Sequence, residues 1–528
     1  MGISIDQSLL SIMDEMLFVS WSNSAVSCCS TREGDDIYMI EQEATGIPTN
    51  LKTGPVYLSL HGHFYQPPRE NPFTGLLPLE IEAVPFRNYN EKITSECYRP
   101  NAEEGNFDVI SYDLGPTLAA WLEQHHPDVY RRIIKADHIH REQYGVGNAM
   151  AQAYNHTILP LALARDKRTQ IVWGLQDFRH RYGHDAHGMW LAETAVDLES
   201  LDLLAQYGIT YTILAPWQAA SPVEPGEPYI VPLLNGRSIT VFFYNAPLSG
   251  GVSFDWHTTS DANVFVSSYL KGQVVKSKQE AGEAQLIIIA TDGELYGHHK
   301  PWRDKFLSYL VNHGASNHGI EICSPEYYMR MHPASKEMQI REPSAWSCVH
   351  GVDRWNSGCE CTEGDSSWKP ALHQALTNLN QHGSQLFEQY AGKALDDPWA
   401  ARDGYLSLHN GWETAESFWA RHGKQHREPD DAQLARRTLT LLEAQYYHQY
   451  SFTSCGFFFE DLDRIEPRND IAFARRAISL TWQALGVNLQ RDFVNDLHAA
   501  KSWRSNVNGA DLYKHLPIVS QDLLPPLD

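Results

Sequence analysis

Three places in the 528-residue sequence put imidazoles or carboxylates where a β/α fold does chemistry. The first is His61-Gly62-His63, which runs out of the apolar stretch Val56–Leu60. Residues two apart on an extended chain face the same way, so this pair can ligate a metal or grip hydroxyl groups. The second is Glu193, in Trp190-Leu191-Ala192-Glu193, ahead of a helical stretch. The third is Leu286–His299, LIIIATDGELYGHH, where an apolar β-branched run breaks into Asp292, Gly293 and Glu294. A run apolar on both faces suits a buried parallel strand. Ligands of α/β folds sit outside the carboxyl ends of such strands, where Asp292 and Glu294 fall. The competing explanation is a strand end capped by Asp and Gly for turn geometry. If parallel strands close into a barrel, all three places meet at one mouth. Two carboxylates flanking one bond is what glycoside cleavage needs, with the carboxyls about 5–5.5 Å apart when configuration is retained. No GxGxxG or Walker pattern supports nucleotide chemistry.

The elements that must position these groups can be read along the chain. Glu193 precedes a helical stretch, Leu198–Tyr207, closed by Gly208 and followed by a strand, Tyr211–Leu214. Strand, carboxylate, helix, Gly and strand is the order of a βαβ unit. Trp217 lies just past that second strand. Further expectations are a strand over Ile239–Tyr244 and helices over Asp113–Glu123, Pro127–His138 and Val264–Gly272. His156 falls within Ala149–Leu163, a setting in which histidine is more often structural. Arg69 to Asn106 reads as a long polar loop, functional or disordered. Beyond Trp368 the apolar period becomes helical, with Leu372, Ala375, Leu376 and Leu379 on one face. Helices are expected over Trp412–His422, Ala432–Tyr450, Asp470–Leu485 and Leu489–Trp503.

A chain of this length exceeds the roughly 250–300 residues one core serves, so more than one domain is expected. The division reads as a poorly ordered extension (1–54), a β/α domain (55–340), a loop (341–367) and an all-α helical domain (368–528). The periodic faces of the last need a partner, so it is expected not to detach. Its Cys455–Asp461 segment is expected to approach the mouth.

Lys and Arg total 42 against 65 Asp and Glu, a net charge of −23. That disfavours nucleic acid or an anionic membrane as partner and leaves a neutral substrate open. No stretch approaches the roughly 20 apolar residues of a membrane span. The N-terminus has no basic region of a secretory signal. The eight cysteines are sparse and irregular, unlike a disulfide scaffold, so a cytoplasmic location is expected. Cys348, His350, Cys359 and Cys361 have C-x-H and C-x-C spacing that tempts a zinc reading. The spacing matches no standard finger, so the favoured expectation is a substrate loop with incidental thiols, with no metal and no cofactor.

The motifs together resemble glycoside hydrolase family 57, which includes α-amylases, 4-α-glucanotransferases and glucan branching enzymes. The resemblance covers about residues 56–360. It implies an incomplete (β/α)7 barrel followed by a helical domain. It implies Glu193 as nucleophile, from Trp190-Leu191-Ala192-Glu193, and Asp292 as general acid/base, from Asp292-Gly293-Glu294-Leu295-Tyr296-Gly297-His298. Ala192 stands where the family often has Pro. His61, His63, His156, Trp190, Trp217, Glu294 and His298 are candidate substrate contacts, and Trp346, His350 and Trp355 candidate subsite residues. The expected activity is retaining hydrolysis or transglycosylation of α-1,4-glucans or their oligosaccharides. Two alternatives stand beside it: a metal-dependent deacetylase or α-mannosidase-like hydrolase using His61 and His63, and a non-catalytic glucan-binding protein.

Overall fold

The structure is a computed structural model that describes residues 53–517, 522 and 524–526. The expected extension, residues 1–54, falls outside the described residues except for its last two. Among the described residues ten strands follow in chain order: β1 (Val56–Phe64), β2 (Ser111–Leu114), β3 (Ala149–Gln152), β4 (Met189–Trp190), β5 (Tyr211–Leu214), β6 (Pro228–Pro232), β7 (Ser238–Phe243), β8 (Gln285–Asp292), β9 (Ile320–Ile322) and β10 (Lys336–Glu337). Parallel ladders join them in the order β8-β1-β2-β3-β4. A parallel bridge from Gly188 to Tyr211 continues to β5, which pairs parallel with β7. Between β7 and β8 there is no ladder among the described residues, only a bond from Asn245 N–H to the Ile288 carbonyl, 2.7 Å. Seven parallel strands with one open seam make an incomplete (β/α)7 barrel. Strand β9 pairs with the start of β1, and β6 and β10 extend the sheet beyond β7.

β1 and β8 are central because both their faces are covered. All nine residues of β1 are buried, as are all of β8 except Asp292. This is the two-sided burial that a continuous apolar run predicts. The helix Leu198–Gln206 starts where Asp197 accepts a bond from Ser200 N–H, 2.8 Å, and Gly208 follows it at φ +89°. That positive φ is open to glycine without strain.

The helix expected over Leu489–Trp503 ends at Leu497, and two further expectations change. The helix expected from Asp113 begins at Pro116, and Asp113 belongs to β2. Pro is at home in the first turn of a helix, and four residues, SYDL, are too few to show a strand period. The Arg69–Asn106 stretch is not open loop: helices Tyr89–Ile93 and Arg99–Glu103 flank a π turn at Thr94–Tyr98, with Cys97 and Tyr98 buried.

The helical part contains Trp368–Ala391, Pro398–His409, Ala415–His422, Ala432–Tyr450, Ile465–Leu485 and Gln490–Leu497. Ile158, Ala192, Ala195 and Ala345, beside the barrel mouth, share one apolar cluster with Trp368, Leu372, Phe457 and Phe493. Tyr154 and Trp173 share another with Phe387, Trp419 and Leu442. The buried Arg402 guanidinium donates to Asp166 at 2.7 Å and to Thr169 at 2.8 Å. Removing one partner of such a buried pair costs about 3–5 kcal/mol. No helix among the described residues is long and apolar enough to cross a membrane. A chain ending at residue 365 exposes both clusters and strands Asp166. It is expected to aggregate or lose its cooperative thermal transition, whereas a sharp transition would show that the first part folds alone.

Candidate active site

Register places the site. His63 is the Cα partner of Asp113 on β2 and of Asp292 on β8. Residues paired across parallel strands share a face, so Asp113, His63 and Asp292 form one layer at the carboxyl ends. One layer below, His61 pairs with Ser111 and Ala290.

Asp113 joins the two histidines. It accepts from His61 Nε2 at 3.1 Å and from His63 Nδ1 at 2.9 Å. Burial works against its charge, yet the two imidazoles hold its carboxyl below the usual range. Burial also opposes charge on His63, but Asp113 first, then Asp292 and Glu294, raise its pKa to about 9. Burial lowers His61, and burial together with the His63 charge lowers His156 far below an ordinary histidine. The proton positions follow from this network. His63 is an imidazolium that donates from Nε2 to His156 Nε2, 3.1 Å, and the neutral His156 donates from Nδ1 to Ser454 Oγ, 2.6 Å. Ser111 Oγ–H donates to His61 Nδ1, 3.0 Å. Every ring nitrogen of His61 and His63 is thereby engaged. The metal-dependent alternative needs two of those nitrogens aimed at a common ion, and this arrangement does not offer them.

His156 is held by its neighbours at φ +53°. Asn155 N–H donates to Gln170 Oε1 and Gln170 Nε2 donates to Asn155 Oδ1, both 2.7 Å. Tyr65 stacks on the imidazole with ring centres 3.9 Å apart. The Trp190 indole stacks on His61 at 4.7 Å and on His63 at 5.3 Å. His61, His63, His156 and Trp190 are buried; Trp190 braces His61 and His63, and His63 in turn stacks on His156 with ring centres 5.0 Å apart.

Glu193 sits in a 3-10 turn just past β4 at φ +57°, ψ +22°, followed by Thr194 at φ +48°. Left-handed backbone at a non-glycine residue costs on the order of 1–3 kcal/mol and persists only where surroundings impose it. Here Thr194 Oγ1 donates to Gln218 Oε1, and Gln218 Nε2 donates to the Thr194 carbonyl, both 2.8 Å. Trp346 N–H donates to the Glu193 carbonyl at 3.1 Å. Glu193 Oε2 accepts from Trp346 Nε1 at 2.9 Å and from Ser347 Oγ at 2.7 Å, while Oε1 accepts nothing from the described residues.

Asp292 is the one residue of β8 open to solvent, although protein surrounds it. Desolvation raises its pKa to about 6, with His63 lowering it and the charges of Glu193 and Asp113 raising it. Glu294 is buried behind the strand end. Its Oε1 accepts from Tyr98 Oη at 2.6 Å and Tyr65 N–H at 3.2 Å, and burial lifts it to about 7. The Arg69–Asn106 stretch thus buttresses the 292–298 turn. His298 belongs to that buttress, with Nδ1 bonded to Glu96 at 2.6 Å.

The structure gathers His61, His63, His156, Trp190, Glu193, Asp292, Glu294 and Trp346 at one mouth. Aromatic contacts continue outward from Trp190 to Trp346 (5.2 Å), Tyr244 (6.4 Å) and Trp217 (6.0 Å), where Trp217 is 44% exposed. Trp355 does not join them, which corrects its expected place on a subsite. It is 1% exposed and packs in the helical cluster, its ring near Phe458. The spacing of aromatics in a loop carries no information about which of them turn inward. His350 is exposed and lies beside Cys361, not at the mouth. The thiols are also not scattered as expected: ligand atoms of Cys348, His350, Cys359 and Cys361 all lie within 4.8 Å of one another.

Asp113, Gln218, Ser347 and Ser454 are the residues the sequence reading missed. His61-x-His63 is the signal that a buried counter-charge was needed; nothing local marks the others. Trp355→Ala is expected to cost about 3–5 kcal/mol in denaturant unfolding. Trp217→Ala should cost about 1 kcal/mol, the bond from its Nε1 to the Ala345 carbonyl. Equal losses would contradict this placement.

A sequence profile of Glycosyl hydrolase family 57 matches residues 36–341, more than half of the chain. One for a Domain of unknown function (DUF3536) matches residues 365–522. An α-amylase of Pyrococcus abyssi (strain GE5 / Orsay) is 24% identical over 258 residues, 46% of this chain and 36% of that protein. The match therefore spans about a third of that relative's length. An exo-type maltose-forming amylase from Pyrococcus sp. ST04 superposes with TM-score 0.69 at 15% identity, over 84% of this chain and 82% of that one. A branching enzyme from Thermococcus kodakaraensis superposes with TM-score 0.55 at 15% identity, over 89% and 100%. At such identities the superpositions speak for the fold, while the profile match speaks for the family: the chain belongs to glycosyl hydrolase family 57.

Proposed function

We propose that the protein is a retaining glycoside hydrolase or transglycosylase acting on α-1,4-glucans, with Glu193 as nucleophile and Asp292 as general acid/base. The observation that carries this is the unequal treatment of two neighbouring carboxylates. Glu193 receives two hydrogen bonds on one oxygen and is aimed by a fixed turn, which leaves its other oxygen free to react. Asp292 is pushed up to about 6 by burial first and by the neighbouring Glu193 charge in addition, which suits a proton donor. A carboxyl raised by its surroundings beside one braced by hydrogen bonds suits the division into acid and nucleophile.

In the first half-reaction Glu193 Oε1 attacks the anomeric carbon while Asp292 delivers its proton to the departing glycosidic oxygen. The glycosyl ester forms as the glycosidic bond breaks. Asp292, now a carboxylate, takes the proton of the acceptor as that oxygen displaces Glu193, and the starting configuration returns. Water as acceptor gives hydrolysis, and a sugar hydroxyl gives transfer. Incubation with maltoheptaose distinguishes the two by whether products longer than the substrate appear. The family membership and the likeness to amylases and a branching enzyme favour α-glucan as substrate.

The roles predict different failures. Glu193→Ala should form no covalent intermediate from any substrate. Asp292→Ala should still glycosylate from a glycosyl fluoride, whose leaving group needs little protonation, and added azide should then yield a product of retained configuration. Intermediate trapped in the Glu193 variant and absent in the Asp292 variant would reverse the assignment.

A pH dependence also follows. The general acid works protonated, so kcat/KM should fall as pH rises through about 6. The His63 imidazolium holds Asp292 down, so His63→Gln should move that limb to higher pH. A limb that stays put or moves lower would sever the coupling.

A further inference from the structure

We infer that Cys348, His350, Cys359 and Cys361 form a structural zinc-class site that fixes the loop bearing Trp346 and Ser347. The sulfurs of Cys348 and Cys359 are 3.7 Å apart, those of Cys348 and Cys361 3.9 Å, and Cys361 Sγ lies 3.5 Å from His350 Nδ1. Zn–S bonds of about 2.3 Å and Zn–N bonds of about 2.0–2.1 Å in a tetrahedron put sulfurs about 3.8 Å apart and sulfur and nitrogen about 3.6 Å apart. The spacings fit one ion at the centre. A disulfide would engage two of the four groups and leave the imidazole and third sulfur converging without cause.

The surroundings are those of a thiolate cluster. Three thiolates, a neutral imidazole and a divalent ion leave a single net negative charge. Arg354 donates to the carbonyls of Ser347 (3.0 Å) and Cys361 (2.6 Å), and the buried Lys369 ammonium donates to Thr362 Oγ1 (3.1 Å), so cations flank the cluster. Gly351 and Gly358, both at φ +80°, let the chain double back next to each ligand pair. A Cβ there would lie 2.7 Å from the Pro343 carbonyl oxygen and 2.5 Å from Ser366 Cβ. The Cys3His set is soft and complete, which selects zinc and leaves no open position for catalysis by the ion.

Residues 341–367 hold no helix or strand beyond the short 3-10 turn Asp353–Trp355. A stretch that long needs something to order it. Ser347 and Trp346 directly precede the first ligand, and both donate to Glu193. The ion therefore acts as a positioning device for that carboxylate, a role that rests on Glu193 being the nucleophile.

Full-length protein dialysed against metal-free buffer is expected to hold about one zinc per chain by plasma mass spectrometry. Cys359→Ser and Cys361→Ser should each lose most of it. Should either variant misfold, the wild type decides. Replacement by Co2+ is expected to give the intense visible bands of tetrahedral cobalt and a thiolate charge-transfer band in the near ultraviolet. A metal-free wild type from zinc-supplemented culture, a Cys348–Cys359 disulfide in a non-reduced digest, or full zinc in both variants overturns the site. Removing zinc from the wild type should lower kcat about tenfold or more with KM little changed. Zinc without glycosidase activity would defeat the functional reading and leave the metal site standing.

Discussion

Asp113 holds a negative charge where solvent does not reach, and two imidazoles make that possible. A carboxylate in this position without partners would protonate or unfold the site. Once it is paired with His61 and His63, the other constraints follow in order. His63 takes up a second proton, faces the neutral His156, and stands between Asp113 and Asp292 as a fixed cation. The indole of Trp190 covers both rings on one side. The parallel register of β2, β1 and β8 makes this layer possible, because it brings three polar residues level at the ends of otherwise apolar strands.

The strained turn at Glu193 answers a different need. A carboxylate just past a two-residue strand has little regular structure to hold it. The left-handed backbone is stabilised from three directions: the Gln218 amide, the Trp346 backbone and the cluster beneath Ala192 and Ala195. Those supports come from segments distant in sequence, one of them beyond the barrel. The helical part is thus built into the mouth, both through apolar packing and through Ser454.

The legible part of this arrangement was the part encoded locally. The β-branched run before Asp292, the strand Tyr211–Leu214, the helix Ala432–Tyr450 and the His61-x-His63 pair carry their own period, and the structure has each where its residues point. Asp113 was not legible because Pro116 starts a helix close behind it, and the helical period swallowed a strand of four residues. The inward turn of Trp355 depends on helices that begin 13 residues later and end far beyond. The four metal-type ligands were visible as residues but not as a cluster, since two positive-φ glycines decide whether C-x-H and C-x-C fold together.

The bond from His156 to Ser454 also makes docking of the helical part a proton-linked equilibrium. His156 must be neutral to sit under Tyr65 and against Ser454, whereas an undocked imidazole would titrate near its ordinary value of about 6.5. Proton uptake therefore favours the undocked form. The docked arrangement keeps its full stability above that pH and loses it progressively below, a slope that thermal melts followed against pH read directly. His63 has no share in this slope, because its raised affinity for protons comes from carboxylates of the barrel itself. Acid would loosen the joint between barrel and helices while the His63 cation beside Asp292 stays charged, since only a rise in pH through about 9 discharges it.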